Sequence, residues 1–247
     1  MNFKKFYSKY YNFVYKSKNY KLEVDYILRL LKLKKKKIKT ILELGSGTGA
    51  HAKYLIRKGF KLTCVEKSSK MILNFKSNLK KIKIINADLR KLKLKNKFDL
   101  VLSMFHVINY MVKNKDINAF FNTASRHLNS GGILVFDTWY YPAVKYNPPK
   151  TTKKIFIDKK FKVIKVAIPN KVNQKIFNIK YIFNIINSNN SSKFNFMENH
   201  IIRAFNIKEL DKISKKYNFK KIANYSFLKR TKPSPKNFGA ILIYQKL

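Results

Sequence analysis

The sequence predicts an α/β fold in which an open, doubly wound, mostly parallel sheet carries a second, antiparallel sheet inserted after its fifth strand. Three observations carry that prediction. A short apolar strand runs straight into a glycine turn and a helix at Ile41-Leu-Glu-Leu-Gly45-Ser-Gly47-Thr-Gly49-Ala-His51, which is how a parallel sheet presents backbone N–H groups and a helix N-terminus to a nucleotide-like ligand. Apolar runs and amphipathic helical patterns then alternate over 39–142, the rhythm of βαβ units. From 150 to 203 the pattern changes to consecutive strand-like runs separated by turn residues.

Each element follows from its local pattern. Residues 1–38 read as an N-terminal helical cap. Their first part is aromatic and basic, with Tyr7, Tyr10, Tyr11, Tyr15 and Tyr20, and leads into a helix with Val24, Ile27, Leu28 and Leu31 on one face. Residues 39–142 form the nucleotide-type core. Its later strands are Lys61–Glu66, Ile82–Asp88, Phe98–Ser103 and Ile133–Trp139, with helices near 49–58, 69–78 and 115–128. The insert has runs at 153–157, 161–168, 175–187 and 193–203, and the third alternates Phe177, Ile179, Tyr181, Phe183 and Ile185 on one face. The polar tract 187–192 reads as a hairpin tip. Residues 204–247 return to the core pattern, with a helix at 206–217 and strands at 219–228 and 238–245, the last antiparallel; Pro233-Ser-Pro235 marks a loop between those strands.

Composition limits the function classes. At 247 residues the chain is long enough to bury one sizeable core, so a single domain with an elaboration is expected. It has no apolar run near 18 residues and no signal-peptide pattern, so no membrane association and a cytoplasmic location are expected. The single cysteine, Cys64, alternates into a strand among apolar neighbours and rules out an internal disulfide. The net charge of +43 arises from 49 lysines and 6 arginines against 12 acids. Those lysines are spread along the chain, with only Lys34 to Lys37 as a block. Lysine reads phosphate as a point charge where arginine reads it with a planar fork, so only weak, non-specific nucleic-acid binding is expected.

The glycine turn leaves two readings open on spacing alone, because Gly45, Gly47 and Ala50 also satisfy a loose dinucleotide pattern. Glu43 two residues before the first glycine, together with Gly49, makes the pattern E-x-G-x-G-x-G. That pattern resembles the first motif of class I S-adenosylmethionine (SAM) methyltransferases, a Rossmann-like family with a seven-stranded sheet. Glu66 ends the second strand 19 residues after Gly47, where the resemblance implies a contact to a ribose diol. Asp88 ends the third, where it implies a contact to the adenine amino group. The cofactor set it implies comprises Glu43, Gly45, Ser46, Gly47 and Gly49 at the turn and Glu66, Lys67 and Met71 after the second strand. Asp88, Leu89, Met104, Phe105 and Tyr20 complete it.

A finer resemblance lies in the inserted sheet and the aromatic N-terminus. Tyr11-Asn-Phe-Val-Tyr15, Met104-Phe-His-Val-Ile-Asn-Tyr110, Asp137-Thr-Trp-Tyr-Tyr-Pro142 and Asn237-Phe-Gly239 are similar to bacterial N-methyltransferases of nucleotide-linked amino sugars. The resemblance implies a small-molecule acceptor. Tyr15, Trp139, Tyr140 and Tyr141 are expected either to line its pocket or to fill the core, and Tyr11 and His106 are expected at the reaction centre. His106-Val107 stands where such enzymes often carry two small polar residues, which leaves nitrogen and oxygen acceptors both open. An oxygen acceptor needs a base, and His106 follows the fourth strand at the carboxyl edge of the sheet, where α/β sites form. His51 is expected to line the site or cap the first helical turn and His127 to belong to a helix end, while His200 lies in the inserted sheet with no partner visible in sequence. Too few acids cluster for a metal, so none is expected. An RNA or protein methyltransferase using the basic surface, a nicotinamide oxidoreductase and a homodimer remain as alternatives.

Overall fold

The computed structural model describes residues 5–33, 37–75 and 82–247. In chain order the elements are α1 (Lys5–Val14), α2 (Tyr20–Leu33), β1 (Thr40–Leu44), α3 (Ala52–Arg57), β2 (Lys61–Glu66), α4 (Ser69–Ile72), β3 (Ile82–Asn86), β4 (Phe98–Ser103), α5 (Asn114–His127), β5 (Leu128–Trp139) and α6 (Tyr141–Tyr146). The inserted strands β6 (Thr152–Ile157), β7 (Phe161–Lys171), β8 (Ile176–Asn187) and β9 (Lys193–Arg203) follow, then α7 (Ile207–Lys215), β10 (Phe219–Ser226) and β11 (Gly239–Lys246). Single 3₁₀ turns lie at Leu89–Lys91 and Val107–Tyr110.

The large sheet has the order β10-β11-β5-β4-β1-β2-β3. Its β1 to β5 pairings are parallel, and β11 runs antiparallel to both neighbours. Both faces are covered, which explains why its strands read as almost unbroken apolar runs. Leu42, Leu44, Val101, Leu134 and Phe136 pack on one side with Phe120 and Phe121 of α5 and Leu210 of α7. Ile41, Leu100, Leu102, Ile133 and Val135 pack on the other with Val24, Ile27, Leu30 and Leu31 of α2 and Leu55 of α3. Neighbouring residues of one strand thus serve opposite layers, as the period of two requires.

The second sheet has the order β6-β7-β8-β9, entirely antiparallel. One end of its inner face packs Val163, Phe183 and Ile185 against Tyr7, Tyr10 and Val14 of α1. The other end packs Phe177, Ile179 and Ile202 near Val144 of α6. Its outer face exposes Ile155, Met197 and Ile201.

Three expectations are corrected in detail. Strand β5 begins at Leu128, directly after α5, and not at Ile133; the Gly131-Gly132 pair lies inside the strand, where its register against β4 shifts. Its Gly131 has φ of +72°, so the glycine pair makes a bulge within the strand and does not end the helix. The helix α6, with Pro142 in its first turn, escapes the sequence pattern because six residues are too few to show a period. Helix α4 runs only over Ser69–Ile72; residues 76–78 of the expected helix lie outside the described residues, as do Lys34 to Lys36. Among the described residues no helix is long and apolar enough to cross a membrane, and no group of three or more His, Cys, Asp and Glu could hold a metal.

Candidate active site

The carboxyl edge of the large sheet builds the first wall. Leaving β1, the backbone N–H groups of Gly45 and Ser46 both donate to Val65 O, at 2.8 and 3.1 Å, which ties the turn to the neighbouring strand. Gly45 has φ of +74°, and a Cβ there would sit 2.7 Å from a methyl of Val107. No larger residue fits. Gly47, at φ of +59°, would bring a Cβ near only the Met71 methyl, at 3.6 Å, on the side that faces the cavity. Gly49 lies against the Phe75 ring.

The strand-end acids are already engaged. Glu66 accepts from Gly47 N at 2.9 Å with one oxygen and from Ser68 N at 2.7 Å with the other, so the acid orders the turn. Burial nonetheless pushes its carboxyl above the ordinary value, against those amide bonds. Asp88 caps the 3₁₀ turn and receives Arg90 N, Nε and Nη2 at 3.0, 3.0 and 2.6 Å. Lys67 Nζ lies 3.2 Å from its Oδ2. The Arg90 side chain holds Asp88 well below the usual carboxylate range. Four donors occupy four acceptor positions. A direct bond from Asp88 to an adenine amino group therefore requires the exposed Lys67 to release it.

Glu43 differs from its expected place, since it stands behind the turn and does not line the cavity. It lies 3.8 Å from His51 Nδ1 and 3.6 Å from Cys64 Sγ. Burial pushes its carboxyl up to about 7 and pulls His51 down to about 4. His51 Nε2 lies 2.7 Å from Glu23, which also pairs with Lys18. This buried network ties α2 to the glycine turn; Gly49, likewise, supports the turn and does not line the cavity.

Beyond β4, Phe105 and His106 both adopt positive φ, 65° and 64°. Two consecutive left-handed residues without a glycine are strained backbone, held only where surroundings compel it. Asp137 at the end of β5 compels it here: its Oδ1 accepts His106 N at 2.9 Å and its Oδ2 lies 3.0 Å from His106 Nδ1. Burial pushes Asp137 upward, but the His106 contacts outweigh it and keep the carboxyl below its ordinary value.

A cavity of about 640 Å³ joins this edge to the inserted sheet. Of the expected residues it is lined by Tyr11, Tyr15, Tyr20, Gly45, Ser46, Gly47, Glu66, Lys67, Met71, Asp88, Leu89, Met104, Phe105, His106 and Trp139. Tyr140 packs into the core beside α5, and Tyr141 packs at the α6 end and donates to Gln174 at 3.3 Å; neither lines the cavity. Tyr11 reaches it as a phenol that burial holds well above its ordinary pKa, which makes it a hydrogen-bond donor and not a base. Tyr20 is pushed up to about 12 by burial.

Several cavity residues escaped the sequence reading. His200 bonds Tyr110 Oη through Nδ1 at 2.8 Å and lies 3.2 Å from Glu198. Lys165, 9% exposed, donates to Tyr15 Oη at 2.8 Å. One signal was available for Lys165: it stands between Val163 and Ala167 on the inward side of an alternating strand, where a lysine is out of pattern. Tyr7 and Tyr181 also line the cavity, and their roles arise only through tertiary packing.

Comparison with known proteins bears on the fold. Residues 41–132 match the sequence model of a methyltransferase domain. A dTDP-3-amino-3,4,6-trideoxy-alpha-D-glucopyranose N,N-dimethyltransferase of Streptomyces venezuelae is 25% identical over 127 residues, 51% of this chain and 54% of that relative. A dTDP-4-amino-2,3,4,6-tetradeoxy-D-glucose N,N-dimethyltransferase of Saccharopolyspora spinosa is 23% identical over 51% of each. The chain spans about half the length of the curated relatives it matches. Among solved structures, Streptomyces venezuelae DesVI superposes over 100% of both chains with a TM-score of 0.82 at 18% identity. A SAM-dependent methyltransferase from Clostridium acetobutylicum superposes over 98% of both with a TM-score of 0.80, also at 18% identity. The fold is that of the class I SAM-dependent methyltransferases, with the four-stranded antiparallel insert included.

Proposed function

We propose that the protein is a SAM-dependent methyltransferase whose acceptor is the amino group of a nucleotide-linked sugar. The observation that carries this reading is the single cavity shared by the glycine turn, the strand-end acids and the aromatic face of the inserted sheet. Its residues suit SAM: Gly47 leaves its cavity side open, Ser46 lines the cavity beside it, and Met71, Leu89 and Met104 offer apolar surface. Bound SAM supplies an electrophilic methyl group. A neutral amine attacks such a group without a base, so the chain's contribution is positioning. The phenols of Tyr11 and Tyr15 donate to the acceptor, Trp139 helps exclude water, and His106, with Nδ1 turned to Asp137, keeps Nε2 for the departing ammonium proton. The names of the curated relatives, which are dTDP-amino-sugar N,N-dimethyltransferases, support the same substrate class.

The His106–Asp137 pair also favours a second reading, O-methylation, because a carboxylate-oriented imidazole is a general-base arrangement. Incubation with SAM, a dTDP-amino sugar and the matching hydroxy sugar, read by mass spectrometry, separates the two. Methylated amine is expected; methylation of the hydroxy sugar alone overturns the amine reading. A cytoplasmic location belongs to the same proposal, as does a homodimer built on the apolar outer face around Ile155, Met197 and Ile201, which light scattering tests.

A further inference from the structure

Five cationic side chains line the cavity: Lys18, Lys67, Arg90, Lys154 and Lys165. Three have acids of the chain beside them. Lys18 pairs with Glu23, Lys67 lies beside Asp88, and Arg90 bridges Asp88 and Asp116. Among the described residues, Lys154 and Lys165 pair with no carboxylate. They stand directly opposite each other across the β6–β7 ladder, on the face of the sheet that lines the cavity. Like charges placed opposite each other in a sheet oppose its pairing, and a buried ammonium without a counter-charge is costly.

What surrounds Lys165 fixes its position without neutralising it. Its Nζ lies 4.6 Å from the ring centre of Tyr15 and 4.4 Å from that of Tyr181, and its one hydrogen bond goes to Tyr15 Oη. Aromatic faces and a neutral phenol stabilise a cation in part. An ammonium has three donors, so two remain. Burial and the neighbouring Lys154 pull its pKa down to about 8.

We propose that Lys154 and Lys165 form an anion subsite on the acceptor side of the cavity, built to take the diphosphate of the acceptor. The proposal rests on the methyltransferase reading for the identity of the acceptor, but the subsite itself does not depend on methyl transfer. It accounts for a buried lysine in a strand that otherwise buries apolar groups, and it gives a nucleotide-linked acceptor a charged handle away from its reacting nitrogen. Charge-assisted hydrogen bonds from two lysines also explain how a chain with few arginines recognises phosphate at one place: the lysine is held by packing and needs no planar fork.

The test is equilibrium binding by calorimetry, with SAM, dTDP, inorganic pyrophosphate and thymidine as separate titrants. The wild type is expected to bind dTDP far more tightly than thymidine, with pyrophosphate competing. Lys165→Met keeps the apolar stem, and its dTDP affinity is expected to fall about ten- to a hundred-fold, with SAM affinity unchanged. Lys154→Met, at an exposed position that cannot unfold the sheet, is expected to lose less but in the same sense. Lys153→Met, on the opposite face of β6, controls for diffuse charge and is expected to change nothing. Wild-type dTDP affinity in Lys165→Met, an equal loss in Lys153→Met, or a loss of SAM affinity in place of dTDP affinity overturns the subsite. Failure of the wild type to bind SAM overturns the methyltransferase reading instead and leaves the pyrophosphate result standing on its own.

Discussion

The two sheets contribute to one cavity by different means. The large sheet gives it backbone and strand ends: a glycine turn fastened to Val65 O, and acids at the end of β2 and just past the end of β3. The inserted sheet gives it side chains from the middle of its strands, Lys154, Lys165, Tyr181 and His200, joined by Tyr7, Tyr11 and Tyr15 from the α1 end of the chain. A wall of the first kind is set by local sequence, whereas one of the second kind exists only once distant segments pack. The first suits a constant ligand, and the second can be redrawn by single substitutions.

The largest effect expected from that contrast is at the turn. Gly45→Ala puts a Cβ against the stiff, β-branched Val107 and an alanine at φ of +74°. Left-handed strain and overpacking together should cost about 2–5 kcal/mol in urea unfolding. A loss below 1 kcal/mol would mean that the turn is not the rigid wall described.

His106→Ala reads the junction between the walls. With an amine acceptor, kcat should fall by less than about a hundred-fold and still rise with pH as free amine forms. A larger loss, with the histidine's titration erased from the pH profile, assigns the base role of an O-methyltransferase.

The buried network behind the turn gives a smaller, pH-dependent effect. Glu43 is raised from an ordinary 4.5 to about 7 by burial, so the fold favours its protonated form. Its stabilising contribution is full below pH 4.5 and is lost as pH rises through about 7. Glu43→Gln imitates the protonated acid, so its Tm relative to wild type should climb as pH rises across that window. A flat difference would show that Glu43 is ionised in the fold. Smallest of all is the effect of the general lysine excess: polyanion binding should be weak and should vanish between low and moderate salt. Sequence-selective RNA binding that survives about 200 mM salt would move the acceptor from a sugar to a nucleic acid.

The same contrast explains what the sequence reveals. Strands β2 and β4 match their expected limits, and the four inserted strands lie within a few residues of theirs, because each has its own apolar period bounded by turn residues. The glycine turn is legible because three glycines in five residues have few other uses. Glu43 is misread as a ligand because motif spacing places it in β1 without saying on which side its carboxylate finds His51 and Cys64. Tyr140 and Tyr141 are misread because a short helix, α6, turns them away from the cavity after Trp139. Lys18 and His200 gain meaning only from partners on other elements, Glu23 and Tyr110. Glu23 is half legible, since a glutamate beside Val24 and Ile27 falls on the buried face of α2.

One cavity is expected to hold SAM against the large sheet and the acceptor against the insert, and a double dissociation checks that division. SAM and a dTDP-amino sugar are titrated separately into wild type, Glu66→Ala and Tyr181→Ala. Glu66→Ala should weaken SAM by about 1.5–3 kcal/mol, roughly ten- to a hundred-fold, and leave the sugar unchanged; Tyr181→Ala should weaken the sugar about ten-fold and leave SAM unchanged. Unchanged SAM affinity in Glu66→Ala, or equal losses of both ligands in both variants, would contradict the division of the cavity between the two sheets.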